Sequence, residues 1–86
     1  MPNAILGKTW YMTNKCYYHF RRGGVVDKST DAKNYEVEGK WSVEGNTVIW
    51  DARGHLHRFV FHDNYTKFVM IRLRDKQGYT GQVVQK

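Results

Sequence analysis

The sequence is short of the residues that usually staple small domains together. Its 86 residues contain one cysteine, Cys16, so the chain can form neither an intramolecular disulfide nor a cysteine-rich zinc site. A single thiol fits a reducing compartment. There is one proline against eight glycines, a balance that suits tight turns rather than disorder. No apolar run approaches the roughly 20 residues of a membrane-spanning helix, so no membrane partner is expected. The start, Met1-Pro2-Asn3-Ala4-Ile5-Leu6, lacks the basic residues and long apolar stretch of a secretion signal, and the cytoplasm is the expected location. A phosphate-cradling glycine loop is also missing. Arg22-Gly23-Gly24 reads as a hairpin signal without the helix that would have to follow it.

Aromatic residues are plentiful. Three Trp, six Tyr and four Phe make up 15 % of the chain, enough for one small domain spanning residues 1–86 to bury a substantial core. The formal charge is +6, from 14 Lys and Arg against 8 acids. Such a balance suits a polyanionic partner, and Arg21, Arg22, Arg72, Arg74 and Lys76 are the densest cationic groups. A nucleic-acid-binding small β-barrel is therefore one alternative. The bland reading of the same charges is a solubilising surface.

Three turn signals, Gly45-Asn46, Arg53-Gly54 and Asp63-Asn64, separate runs that alternate apolar and polar residues. Two-residue loops of this chemistry join adjacent antiparallel strands. The pattern predicts an all-β fold: an antiparallel meander of seven or eight short strands forming a small or partly open barrel. Strands are expected at 8–13, 16–22, 25–28, 35–43, 47–52, 55–62, 65–74 and 79–84, and Lys28 to Asn34 as a loop.

The turns also set a register. Gly45-Asn46 places Val43 opposite Val48, Trp41 opposite Trp50 and Gly39 opposite Ala52, with Glu38, Lys40, Ser42 and Glu44 on the other face. Arg53-Gly54 then places His57 opposite Trp50 and Phe59 opposite Val48. Asp63-Asn64 places Phe68 opposite Phe59 and Met70 opposite His57. Three rows result: an apolar Val43, Val48, Phe59, Phe68 row; a Trp41, Trp50, His57, Met70 row; and a Gly39, Ala52, His55, Arg72 row. The inner face thus grades from apolar to polar along the strands. Ile49, Leu56, Val60, Val69, Ile71 and Leu73 project outward. They require cover from the N-terminal strands, from a second copy in a homodimer, or from another partner. The N-terminal hairpin, with Trp10 and Met12 on one side and Tyr11, Tyr18 and Phe20 on the other, reads as packed on both surfaces.

The run Gly39-Lys40-Trp41-Ser42-Val43-Glu44-Gly45-Asn46 resembles the Gly-x-Trp strand and glycine hairpin of lipocalin-like, or calycin-type, small β-barrel domains. Gly7-Lys8-Thr9-Trp10 is similar to the opening Gly-x-Trp of those families, with one residue more. Tyr18-His19-Phe20 followed by Gly23-Gly24 fits their aromatic strand and turn. The resemblance implies an up-and-down sheet or small barrel whose inner face binds a small apolar molecule.

His55-x-His57 puts two imidazoles on one strand face, but no third ligand of suitable parity accompanies them, so no metal is expected. No cofactor is expected either. Cys16 alternates with Tyr18 and Phe20 on an apolar face and reads as a buried wall residue, not a nucleophile. No catalytic residues are assigned. The aromatic row with its imidazole and cationic edge, Trp41, Trp50, His55, His57, Met70 and Arg72, is the candidate binding surface for a small, flat or anionic ligand. Core filling is the competing reading of the two tryptophans. The expected function is a non-enzymatic binding module. The alternatives are nucleic-acid binding, and a protein that pairs through its outer apolar face.

Overall fold

Burial alternates along the strands as a half-buried sheet requires. In Cys16–Arg21 the side chains of Cys16, Tyr18 and Phe20 are buried, whereas Tyr17 and His19 are only half-buried. A computed structural model describes residues 4–45 and 47–84. Eight strands follow in order: β1 (Trp10–Met12), β2 (Cys16–Arg21), β3 (Val25–Ser29), β4 (Glu36–Glu44), β5 (Thr47–Ala52), β6 (His55–His62), β7 (Lys67–Arg72) and β8 (Gln77–Val83). Each pairs antiparallel with the next and β8 pairs with β1, closing an eight-stranded up-and-down barrel. The sheet therefore closes fully rather than remaining partly open. No helix among the described residues is long and apolar enough to cross a membrane.

The hairpin from β5 to β6 follows the turn chemistry. Arg53 and Gly54 form a two-residue loop with φ of 56° and 93°, and Trp50 faces His57 while Val48 faces Phe59. Between β4 and β5, Glu44 pairs with Thr47, Trp41 with Trp50 and Val43 with Val48. Gly45 has a φ of 63°, and Asn46, the second residue of that expected loop, lies outside the described residues.

Asp63-Asn64 does not make a two-residue loop. His62 pairs with Lys67, so residues 63–66 form the turn, with Asp63, Asn64 and Tyr65 all left-handed at φ of 52°, 56° and 59°. The added length folds the half-buried Tyr65 back over the barrel end, its ring 6.0 Å from Phe61. The register of β7 moves by two residues while parity is kept. Met70 consequently faces Phe59, Phe68 faces Phe61, and Arg72 takes the place opposite His57.

Strand β4 corrects two further expectations. Val25 pairs with Lys40 and Asp27 with Val37, so β4 carries one residue more than β3 over that stretch. The bulge falls at Gly39, whose φ is 104°. A Cβ on Gly39 would strike the Asp51 carbonyl oxygen and come within 2.9 Å of the Ala52 Cα. Past the bulge parity reverses, and Glu38 lies at the inner mouth rather than on the outer face with Lys40. Val43 is not core either, being 39 % exposed. Strand β3 begins at Val25 opposite Lys40, so the end of β4 has only β5 beside it.

The N-terminal hairpin is one-sided. Trp10 pairs with Tyr18 and Met12 with Cys16, and all four are buried inside the barrel. Tyr11 and Tyr17 pair outside, their rings 4.9 Å apart. Because β1 completes the barrel against β8, it does not cover the outer stripe. Leu56, Val60, Val69 and Leu73 remain between 36 % and 45 % exposed.

Successive turns alternate between the two ends of the barrel. One end, holding turns 22–24 and 63–66 and the segment before β1, is sealed by Ile5, Trp10, Phe20, Phe61 and Phe68. There Trp10 packs edge-on against Phe61 and Phe68 at 5.2 and 5.7 Å and donates its indole N–H to the Ile5 carbonyl. The other end, holding turns 13–15, 53–54 and 73–76 and loop 30–35, is open and polar.

Gly39→Ala is expected to lower unfolding free energy by about 2–4 kcal/mol in urea denaturation, from left-handed strain plus the forced shift of β5. Gly54→Ala has the same handedness but open space around the new methyl, and should cost about 1 kcal/mol. Equal losses at the two glycines would contradict the close approach of β4 to β5.

Candidate functional site: a cationic cavity at the open end

Cross-strand pairing sets Trp50, His57 and Arg72 in one row across β5, β6 and β7, with Ala52 and His55 a step nearer the rim. Trp50 is 4 % exposed and stacks on His57 with ring centroids 4.4 Å apart and planes 29° from parallel. Its indole N–H donates to the Glu38 carbonyl at 2.6 Å, a contact that the bulge at Gly39 makes available. The tryptophan is thereby held at both its edge and its face.

This row forms one wall of a cavity of about 450 Å³, lined among others by Trp50, His55, His57, Met70 and Arg72. Five of the six residues singled out from sequence thus lie together. Trp41 does not join them. It is half-buried toward the sealed end, edge-on to Phe20 at 6.1 Å, and donates to the Arg21 carbonyl at 2.9 Å. Strands of a closed barrel tilt against its axis, so a row perpendicular to the strands descends from Arg72 to Trp41. Tyr18, Lys28, Glu38, Arg53 and Tyr79 also line the cavity. Of these, Tyr18 was legible as inward-facing from its alternation with Cys16 and Phe20. Lys28 follows only from its pairing with Tyr18, for which the sequence carries no turn signal of fixed length.

Charge in the cavity is one-sided. Lys28, Arg53, Arg72 and Arg74 line it, with Glu38 as the acid among them. Arg72 is held by Asp75 through two hydrogen bonds of 3.0 and 2.8 Å. That guanidinium, aided by the Gln77 backbone N–H, pulls the Asp75 carboxyl down to about 2. Arg53 sits 3.6 Å from Glu38. Lys28 and Arg74 have no ion-pair partner among the described residues.

His57 is 7 % exposed and its Nδ1 has no hydrogen-bond partner. Burial pushes its pKa below the ordinary imidazole value. The carbonyls of Trp50 and His55 oppose that shift, and the charges of Arg72 and His55 add to it. The ring is therefore neutral at neutral pH. Tyr18 stays neutral too, since burial lifts its phenol well above the usual range against the amide of Asn14, which donates to it at 2.9 Å.

The cationic residues of the nucleic-acid alternative do not form one surface. Arg21 and Arg22 lie at the sealed end, Arg21 paired with Asp27, while Arg72, Arg74 and Lys76 lie at the open end. No group of three His, Cys, Asp or Glu side chains able to hold a metal ion occurs among the described residues. Cys16 is 8 % exposed, its thiol 3.8 Å from the Asn14 carbonyl, as part of the wall.

A second histidine behaves like His57. His19 stacks on Tyr35 at 4.2 Å, and burial followed by the Arg21 charge lowers its pKa. For both groups the unfolded chain takes up a proton near the ordinary value of about 6.5 while the folded chain resists. The unfolded state binds more protons below that pH, so stability falls on acidification. The urea midpoint is expected to drop between about pH 7.5 and about pH 5, and His57→Phe, which keeps a ring against Trp50, should flatten part of the drop. A midpoint constant across that interval would contradict the neutral buried imidazole.

No family model, no curated protein and no solved structure matches this chain.

Proposed function

We propose that this protein is a binding module that holds a small, flat or anionic molecule in the open mouth of its barrel. The observation that carries the reading is the cavity itself. A buried aromatic–imidazole stack with an unpartnered nitrogen lies beneath a rim carrying more cations than acids. A buried polar atom without a partner costs stability, and a ligand that reaches it offsets that cost, while the unpaired cations at the rim attract an anion. The sealed end removes the competing opening, since Ile5, Trp10 and Phe68 fill it. The resemblance of residues 39–46 to lipocalin-like domains points the same way, because those barrels hold small ligands inside. The arginines at the rim are permanently charged and suited to holding an anion.

The test is an NMR titration of the labelled protein against a small-metabolite library at low salt, followed by a mixed oligonucleotide pool. Shifts grouped on Trp50, His57 and Met70 with a metabolite are the expected result. Shifts that follow Arg72, Arg74 and Lys76, appear only with oligonucleotide and vanish with salt would assign the protein to nucleic acid instead.

A second reading, pairing through the outer face, is favoured by the exposed Leu56, Val60, Val69 and Leu73, of which Val60 and Val69 are cross-strand neighbours. If the stripe is an interface, the mass by light scattering rises with concentration and Val60→Lys holds the protein as a monomer. A constant monomer mass at high concentration removes that reading.

A further inference from the structure

Two of the four cations lining the mouth are neutralised within the protein, Arg72 by Asp75 and Arg53 by Glu38. The two without partners, Lys28 and Arg74, both line the mouth. Lys28 is on β3 and Arg74 lies two residues past the end of β7, and in a closed barrel of eight strands β3 and β7 stand on opposite walls. Lys28 pairs with the buried Tyr18, so its side chain starts on the inner face of the wall, and it is half-buried. With its stem along the inner wall, Lys28 presents its ammonium to the mouth without an ion-pair partner among the described residues. Between the two cations the cavity is lined by the edge of the buried Trp50–His57 stack and by Met70.

Resting on the binding-module reading, we infer that the mouth takes a planar ring bearing an oxyanion, a carboxylate or a phosphate. The charged group lies between Lys28 and Arg74, and the ring lies against Trp50, His57 and Met70. The cavity of about 450 Å³ has room for one small ring system with its substituent. The soft Met70 thioether and the aromatic faces accept a flat partner, while neutral His57 adds no competing charge beside the ring. Carboxylate and phosphate share the recognition chemistry, charge-assisted hydrogen bonding to an ammonium and a guanidinium. Their relative affinities identify the source.

The experiment titrates the full chain, followed by amide and indole NMR shifts, with indole-3-carboxylate, indole-3-carboxamide, phenyl phosphate and acetate. The expected result is binding of indole-3-carboxylate or phenyl phosphate with shifts at Trp50 and His57, and binding of the carboxamide weaker by about tenfold or more. Acetate, which has no ring, should also bind weakly. Lys28→Gln and Arg74→Gln should each weaken the carboxylate by about three- to tenfold and leave the carboxamide unchanged. Arg74 is exposed, so its variant tests the charge even if Lys28→Gln perturbs the wall. Equal affinity for carboxylate and carboxamide would overturn the inference while leaving a small-molecule site intact. Acetate binding as tightly as the ring acids would overturn the planar half. If none of the four shifts the mouth at about 20 mM, both the inference and the binding-module reading fall.

Discussion

The barrel depends on a place where a side chain is missing. Gly81 of β8 pairs with Met12 on one side and Phe68 on the other, both of which are buried. A Cβ there would collide with the Phe68 ring and lie 2.7 Å from the Tyr11 carbonyl oxygen. Bare backbone lets Phe68 lie across the seam, where its ring meets Trp10, Phe59 and Phe61 at 5.7, 5.0 and 5.8 Å. Seam closure and the aromatic plug at the sealed end are therefore one packing arrangement. With the seam shut no strand is left at the edge of the sheet, which lets so small a protein keep a β1 of three residues.

How far this was legible in the sequence depends on where the deciding contacts lie. Two-residue turns are local, and Arg53-Gly54 fixed the pairing of β5 with β6, including the contact of Trp50 with His57. Asp63-Asn64 carries the same chemistry yet opens a longer turn, because Tyr65 is drawn onto Phe61 at an end that exists only once the barrel is closed. Gly39 read as a small residue in a row. Its left-handed backbone answers to the neighbouring Asp51 and Ala52, and it carries Glu38 to the inner side. Closure of β1 on β8 has no local signature at all. The separation of Trp41 from the cavity follows from strand tilt, a property of the closed barrel and of no single hairpin.

The apolar-to-polar grading along the inner face becomes the long axis of the site. Near the plug the interior holds aromatic rings packed edge to face, and toward the mouth the same strands carry His57, Arg72 and His55. Each pairing that rigidifies the wall also orients a polar group. The Glu38 carbonyl fixes Trp50, Trp50 supports His57, and Asp75 holds Arg72 at the rim. The cavity is thus floored by the fold itself, and its free charges are the ones that the fold leaves unanswered.

The seam has a kinetic side as well. Every other pairing in the barrel joins strands adjacent in sequence, so those hairpins can form with short loop closures. The β1–β8 pairing joins the two ends of the described chain and cannot form until the meander has curled round. A half-curled sheet bares two strand edges and the aromatic interior together, the form most exposed to association with another chain. Once the seam zips, those edges and that interior are withdrawn in a single step, so the seam that shapes the mouth is also where the folding chain escapes aggregation.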